Sequence, residues 1–153
     1  ASMKFGQYDR YRMTKDVENV IATEHAETIY THDPSDIHND HRVLSGIVLE
    51  AAKLPLRGSY TGPKIKAIYT MEIPSSTDWG SGFIPNAYIK VSGESLTLKA
   101  ALLRQYGDVI RDVPHPRNIE SFMALARYRG GQCGCRYAEA FRKVYEYTGK
   151  GMA

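Results

Sequence analysis

Cysteine is nearly absent: the 153 residues hold two, Cys133 and Cys135, separated by a single glycine. Disulfides that stabilise small domains close long loops, which a Cys-X-Cys pair does not do, so a disulfide framework is excluded and two reduced thiols are expected. No apolar run approaches the ~20 residues that span a bilayer, and no charged-then-apolar leader opens the chain; a cytoplasmic protein without a membrane partner is the expectation. Internal repeats and low-complexity tracts are lacking. So are a Gly-Lys-Ser/Thr phosphate loop, a Gly-X-Ser-X-Gly nucleophile turn and a His-Glu-X-X-His metal helix, which leaves the commonest nucleotidase, esterase and metalloprotease chemistries without their signatures. Paired His-X-Thr motifs are missing too, because His32 precedes Asp33-Pro34 and His115 precedes Pro116-Arg117. Whether the chain is an enzyme stays open on these grounds.

With 42% apolar and 24% charged residues, the chain has the make-up of one globular domain, residues 1–153, long enough for a single core. Net charge is +3 but unevenly spread. Residues 1–50 carry nine acidic and five basic side chains, whereas residues 104–153 carry nine basic and five acidic ones, seven of the nine being arginine. An acidic, histidine-bearing front and an arginine-rich back can mark a polyanion-facing surface.

Periodicity predicts a helix from Val17 to Tyr30, capped by Asp16, and a second from Ile37 to Leu54, where Ile37, His41, Leu44, Val48 and Ala51 form one stripe and Leu54-Pro55 stops it. Between them, Asp33-Pro34-Ser35-Asp36 is a stop followed by a new start. Alternation from Lys64 to Ile73 predicts a strand, and a loop rich in Ser, Gly and Pro (Pro74–Gly82) leads to a second strand over Asn86–Val91, able to pair with the first. A helix over Leu96–Tyr106 follows Ser95, then a short strand over Val109–Val113. Asn118 caps a helix over Ile119–Arg129, and the turn Gly130–Arg136 leads to a last helix, Cys135–Tyr147. The fold class expected is α+β: a small, mostly antiparallel sheet of about three or four strands covered by helices. Residues 1–113 form its core, and residues 114–153 a basic C-terminal helix pair packed on it.

A helix-turn-helix would read DNA from an uncompensated basic face, yet Glu139 and Glu146 lie one turn from Arg136, Arg142 and Lys143. The free amides at the start of the last helix remain, so Arg127, Arg129, Cys135 and Arg136 are the expected phosphate-binding residues. Cys133 and Cys135 with His38 and His41 could ligate zinc, but zinc sites space cysteines by two to four residues; no metal and no cofactor are expected. His41 falls on the apolar stripe as a partly buried core histidine, and His38 faces solvent. For acid–base work the candidates are Glu72, His25, His115 and Asp108; no spacing joins these four, and the lysines around Glu72 would keep it ionised, while an enzyme reading would use Glu72, Tyr60 and Asp108.

The reading carried forward is a non-catalytic protein whose Arg- and Tyr-rich C-terminal helices bind nucleic acid or another polyanion. Tyr128, Tyr137, Tyr145 and Tyr147 would stack on bases. One alternative is a small enzyme or ligand-binding protein with its cleft near Tyr60 and Glu72. Another is a homo-oligomeric assembly or inhibitor subunit, suggested by polar chain ends that need something to hold them.

Overall fold

A computed structural model describes residues 7–80 and 82–149; the chain ends, and Ser81 in the Pro74–Gly82 loop, lie outside the described residues. Helix α1 spans Arg10–Thr23, β1 Thr28–His32, α2 Asn39–Ala51, β2 Ala67–Met71, β3 Ala87–Lys90, α3 Gly93–Leu103, α4 Ile119–Gln132 and β4 Ala138–Glu146. The strands form one mixed sheet in the order β1-β2-β4-β3. β1 and β2 are parallel, while β4 runs antiparallel to both β2 and β3. The α+β class and the small, mostly antiparallel sheet thus hold.

Three elements differ from expectation. The first helix starts seven residues early, with the Asp9 carboxylate accepting from the amides of Tyr11 and Arg12, and it ends at Thr23. Thr28-Ile29-Tyr30-Thr31-His32, read as its last turn, is a strand, in keeping with its β-branched and aromatic content. The C-terminal helix pair is corrected as well: α4 is a helix capped by the Asn118 side chain, but the segment after it is the nine-residue strand β4. Its Ala138, Phe141 and Val144 fit a helical stripe, whereas the buried pair Ala138 and Ala140 follows the strand period. β4 enters between β2 and β3, so the hairpin expected of those two strands does not form. Val109–Val113 is no strand; hydrogen-bonded turns occupy it.

β1, α2 and β2 make a parallel crossover unit, with α2 as its helix. Its packing forms the core: Ile21 of α1, Ala51 and Ala52 at the end of α2, and Ile65 and Ile68 around β2. Glu18, buried on α1, is held between Lys15 and Arg57. At the other end, Gly130 of α4 lies so close to the following turn that an added Cβ would meet the backbone of Cys135 and Tyr137 at 2.7 Å. The last turn of α4 therefore rests against the chain entering β4, with Gly134 between the cysteines at φ +76°.

Candidate functional site

Parallel strands end on a common edge, and the loops beyond it are where open α/β sheets assemble ligand sites. Here β1 runs into the loop 33–38 and β2 into the loop 72–80. Two buried carboxylates tie them together. Asp33 accepts from the Ser35 amide (2.9 Å) and hydroxyl (2.6 Å) with Oδ1, and from Thr70 of β2 (2.6 Å) with Oδ2. Asp36 accepts from the His38 amide (2.7 Å) with Oδ1, and from the Ser76 hydroxyl with Oδ2 (2.8 Å). Ile37 donates its amide to the Ser76 carbonyl, and Gly80 leaves room for the Ser35 carbonyl, which a Cβ there would meet at 2.7 Å. Burial alone would raise the pKa of either carboxyl; the hydrogen bonds from Ser35 and Thr70 at Asp33, and from His38, His41 and Ser76 at Asp36, outweigh it and hold both below the ordinary aspartate value.

The second group on Asp36 Oδ2 is Nδ1 of His41, at 2.8 Å. Because Asp36 is fully buried and held anionic, it can only accept here, so Nδ1 is the nitrogen that donates to it and Nε2 is the one left without this partner. His41 stacks between two other imidazoles, His32 at 4.1 Å and His38 at 4.4 Å between centroids. His38 caps α2, its Nδ1 accepting from the Asp40 amide. His32 is pushed to a lower pKa, first by burial and then by its neighbour His41, and its buried Nδ1 has no hydrogen-bond partner.

His32 and His41 line a cavity of about 740 Å³ that extends over the end of the sheet and under α3 and α4. Leu96, Phe122 and Phe141 supply much of its apolar wall. Glu72 and Arg129 form a two-pronged ion pair in the wall, Nε to Oε1 at 2.8 Å and Nη2 to Oε2 at 2.5 Å. An imidazole fixed by a buried carboxylate at the edge of a cavity of ligand size can move a proton, and a carboxylate-backed histidine can also ligate a metal. Among the described residues, however, no group of three or more His, Cys, Asp and Glu side chains is arranged to hold a metal ion.

The residues singled out from sequence scatter. Glu72 reaches the cavity, paired with Arg129. Tyr60 lies in the loop after α2, outside this cavity and outside a second, apolar one of about 510 Å³ beside Ile68 and Tyr145. Asp108 is exposed in the turn after α3. Of the four expected phosphate ligands, Arg129 is buried against Glu72, while Arg127 hydrogen-bonds Tyr137 and Arg136 stacks on it. Cys135 donates its thiol to the Tyr137 carbonyl, 3.4 Å from the sulfur of Cys133. The helix start on which that anion site rested is absent, because β4 stands in its place. From sequence Asp36 is a helix-start residue, His41 a core histidine and His38 a solvent-facing one; the partner that joins Asp36 to them as a site, Ser76, is 40 residues further along the chain from Asp36.

No family model matches the chain, and no curated protein is similar to it in sequence. Its fold does match solved structures. The N,N'-diacetylchitobiose deacetylase of Pyrococcus horikoshii matches with a TM-score of 0.65 at 19% identity, over 90% of this chain and 52% of that one. The conserved protein TT1542 of Thermus thermophilus matches with a TM-score of 0.67 at 20% identity, over 93% and 62%. GalB, the 4-carboxy-2-hydroxymuconate hydratase of Pseudomonas putida, matches with a TM-score of 0.65 at 14% identity, over 99% and 65%. The chain thus spans between half and two thirds of their length.

These matches, with the local structure, correct the nucleic-acid and polyanion reading. The fold is that of a deacetylase and a hydratase, and the basic segment expected to present a helix to phosphates is a central strand of the sheet. The homo-oligomer expectation goes with it, since it rested on held chain ends that lie outside the described residues. Among the described residues, no helix is long and apolar enough to cross a membrane.

Proposed function

We propose that the chain carries the small-molecule site of an enzyme that adds water to an unsaturated carbon, with His41 as its proton-transfer group. The observation that carries this is the His41–Asp36 pair, set at the cavity edge and on the C-terminal side of the parallel strands. The two fold neighbours with named activities, a deacetylase and a hydratase, have in common a step in which water attacks a carbon of a C=O or C=C bond.

In this reading His41 Nε2 takes a proton from water as its oxygen bonds to that carbon, and the π electrons move to the far atom. The imidazolium so formed is stabilised by Asp36, itself held anionic by Ser76 and the His38 amide. The proton is then returned to the leaving nitrogen of an amide or to the neighbouring carbon of an alkene. Phe122 and Leu96 give the same cavity an apolar wall for the carbon skeleton of the substrate. The two free thiols favour a cytoplasmic setting for this chemistry.

The test is acetate release from N-acetylated sugars and loss of ultraviolet absorbance from unsaturated carboxylates, with wild type and His41→Asn. Turnover in one assay that falls about 10²–10⁴-fold in the variant is expected. Turnover indifferent to the substitution, or none on either class, removes the reading. The carboxylate-backed imidazole also favours a second reading, His41 Nε2 as a ligand to a divalent cation. Activity abolished by chelation and restored by Zn²⁺ selects it over direct proton transfer.

A further inference from the structure

Five side chains with full charges line the cavity beside the two histidines: Lys99, Arg117 and Arg129 are cationic, Glu72 and Glu139 anionic. Each carboxylate already has a cation. Glu72 holds Arg129, and Glu139 accepts from Lys99 at 2.6 Å. That leaves Arg117 as the uncompensated charge of the cavity among the described residues. Its Nε is buried without a hydrogen-bond partner, a state that costs free energy unless something polar completes it.

The backbone around Arg117 is built to hold it there. Its amide donates to His115 Nδ1 at 3.0 Å, its carbonyl accepts from the Arg111 amide, and the next residue, Asn118, caps α4 while donating its side-chain amide to the His115 carbonyl at 2.6 Å. His115, an acid–base candidate on sequence grounds, therefore acts here as a positioning residue for the turn. A guanidinium carried on a backbone fixed at the base of a helix, on a residue that lines the cavity and has no carboxylate partner among the described residues, matches a planar anion with two acceptor oxygens.

We propose that Arg117 binds a carboxylate of the substrate, so that the site takes an unsaturated or amide-bearing carboxylic acid rather than a neutral sugar. This rests on the water-adding reading above and narrows it. Arg117 supplies two N–H donors to the carboxylate, which places the rest of the molecule along the apolar wall toward His41. The pairing also completes the cavity's charge, because Lys99 and Arg129 need no further anion.

Binding is measured by calorimetry and ¹⁵N-¹H spectra with two probes: muconate, a six-carbon diene dicarboxylate, and its uncharged diamide. Each is titrated into wild type, Arg117→Gln, Arg117→Lys and His41→Asn. In wild type muconate is expected to bind about 10–100-fold more tightly than the diamide, the worth of a charged hydrogen-bonded pair over a neutral one. Arg117→Gln should erase that preference while leaving the diamide unchanged, Arg117→Lys should keep part of it, and His41→Asn should keep all of it. Equal binding of the two probes by wild type, an unaltered preference in Arg117→Gln, or no binding of muconate at all overturns the proposal. Binding that follows this pattern without turnover of any unsaturated acid would sink the catalytic reading alone. Turnover of neutral N-acetyl sugars, unaffected by Arg117→Gln, would sink the carboxylate alone.

Discussion

Glu72, one residue beyond the end of β2, and Arg129, in the last turn of α4, meet as a buried two-pronged ion pair that joins helix to sheet in the cavity wall. The guanidinium's hydrogen bonds to Glu72 outweigh burial and raise its pKa, so Arg129 stays charged. Gln132 accepts a further N–H of Arg129 at 2.8 Å. Removing one partner strands the other charge out of water. Arg129→Met should therefore cost about 3–5 kcal/mol in denaturant unfolding, whereas the paired change Glu72→Leu with Arg129→Met should recover much of that loss. A single variant within about 1 kcal/mol of wild type would show that the pair is well solvated.

The pH dependence of stability has two limbs. His32 has a lowered pKa in the folded protein, so its neutral form is the native one, and its contribution is complete above the unfolded value of about 6.5 and is lost as pH falls through the folded value. Asp33 and Asp36 are also lowered, so what they contribute is present above about pH 4 and disappears below it. Unfolding free energies measured from pH 8 down to pH 3 should decline gently below about 6.5 and steeply below about 4. His32→Gln should flatten the first limb only. A first limb unchanged by that substitution would assign it to another group.

Asp36→Asn keeps the size of the side chain but replaces one of its two acceptor oxygens, which take hydrogen bonds from His41 Nδ1, Ser76 and the His38 amide, by an NH2 donor. If the amide nitrogen faces His41, the ring must place its proton on Nε2, the wrong nitrogen for accepting one from water. Activity should fall about 10³–10⁴-fold, as when the orienting carboxylate of a catalytic histidine is lost. KM should change little. A fall confined to KM would place Asp36 in substrate binding instead.

Adjacent glycines in α4 should respond with opposite signs. An added methyl at Gly130 meets the backbone of Cys135, Arg136 and Tyr137 within 2.8 Å, while one at Gly131 meets nothing. Gly130→Ala should destabilise by about 1–3 kcal/mol or more through overpacking. Gly131→Ala should be neutral or stabilise by up to about 1 kcal/mol from helix propensity. Replacing both Cys133 and Cys135 by serine, by contrast, should leave folding intact, because their thiols donate only to the Gly130 and Tyr137 carbonyls and lie beside each other. Thermal melts of the three variants check the ranking.

Elements whose order is written in their own residues were legible from sequence. The helix α2, the Asn118 cap of α4 and the strand β2 each follow from local periodicity and capping, and together they imply a small α+β fold. Their details differ, however: α2 stops at Ala51 with Leu54–Leu56 a separate 3-10 turn, Ile37 is exposed outside it, and β2 is buried on both faces. The segments 28–32 and 138–146 depended on partners instead. Their apolar spacing suits either a helix or a strand, and a strand is stabilised only by ladder hydrogen bonds to residues far along the chain, which no local pattern encodes. The same holds at the site. His41 on an apolar stripe is a core histidine by periodicity, and Glu72 is a charged strand residue by alternation. Only the tertiary structure brings Ser76 to Asp36 behind His41, sets Arg129 against Glu72 and turns Arg117 to the cavity. Those roles arise from contacts across 40 to 57 residues of chain, where loop closure rather than local preference decides which side chains meet.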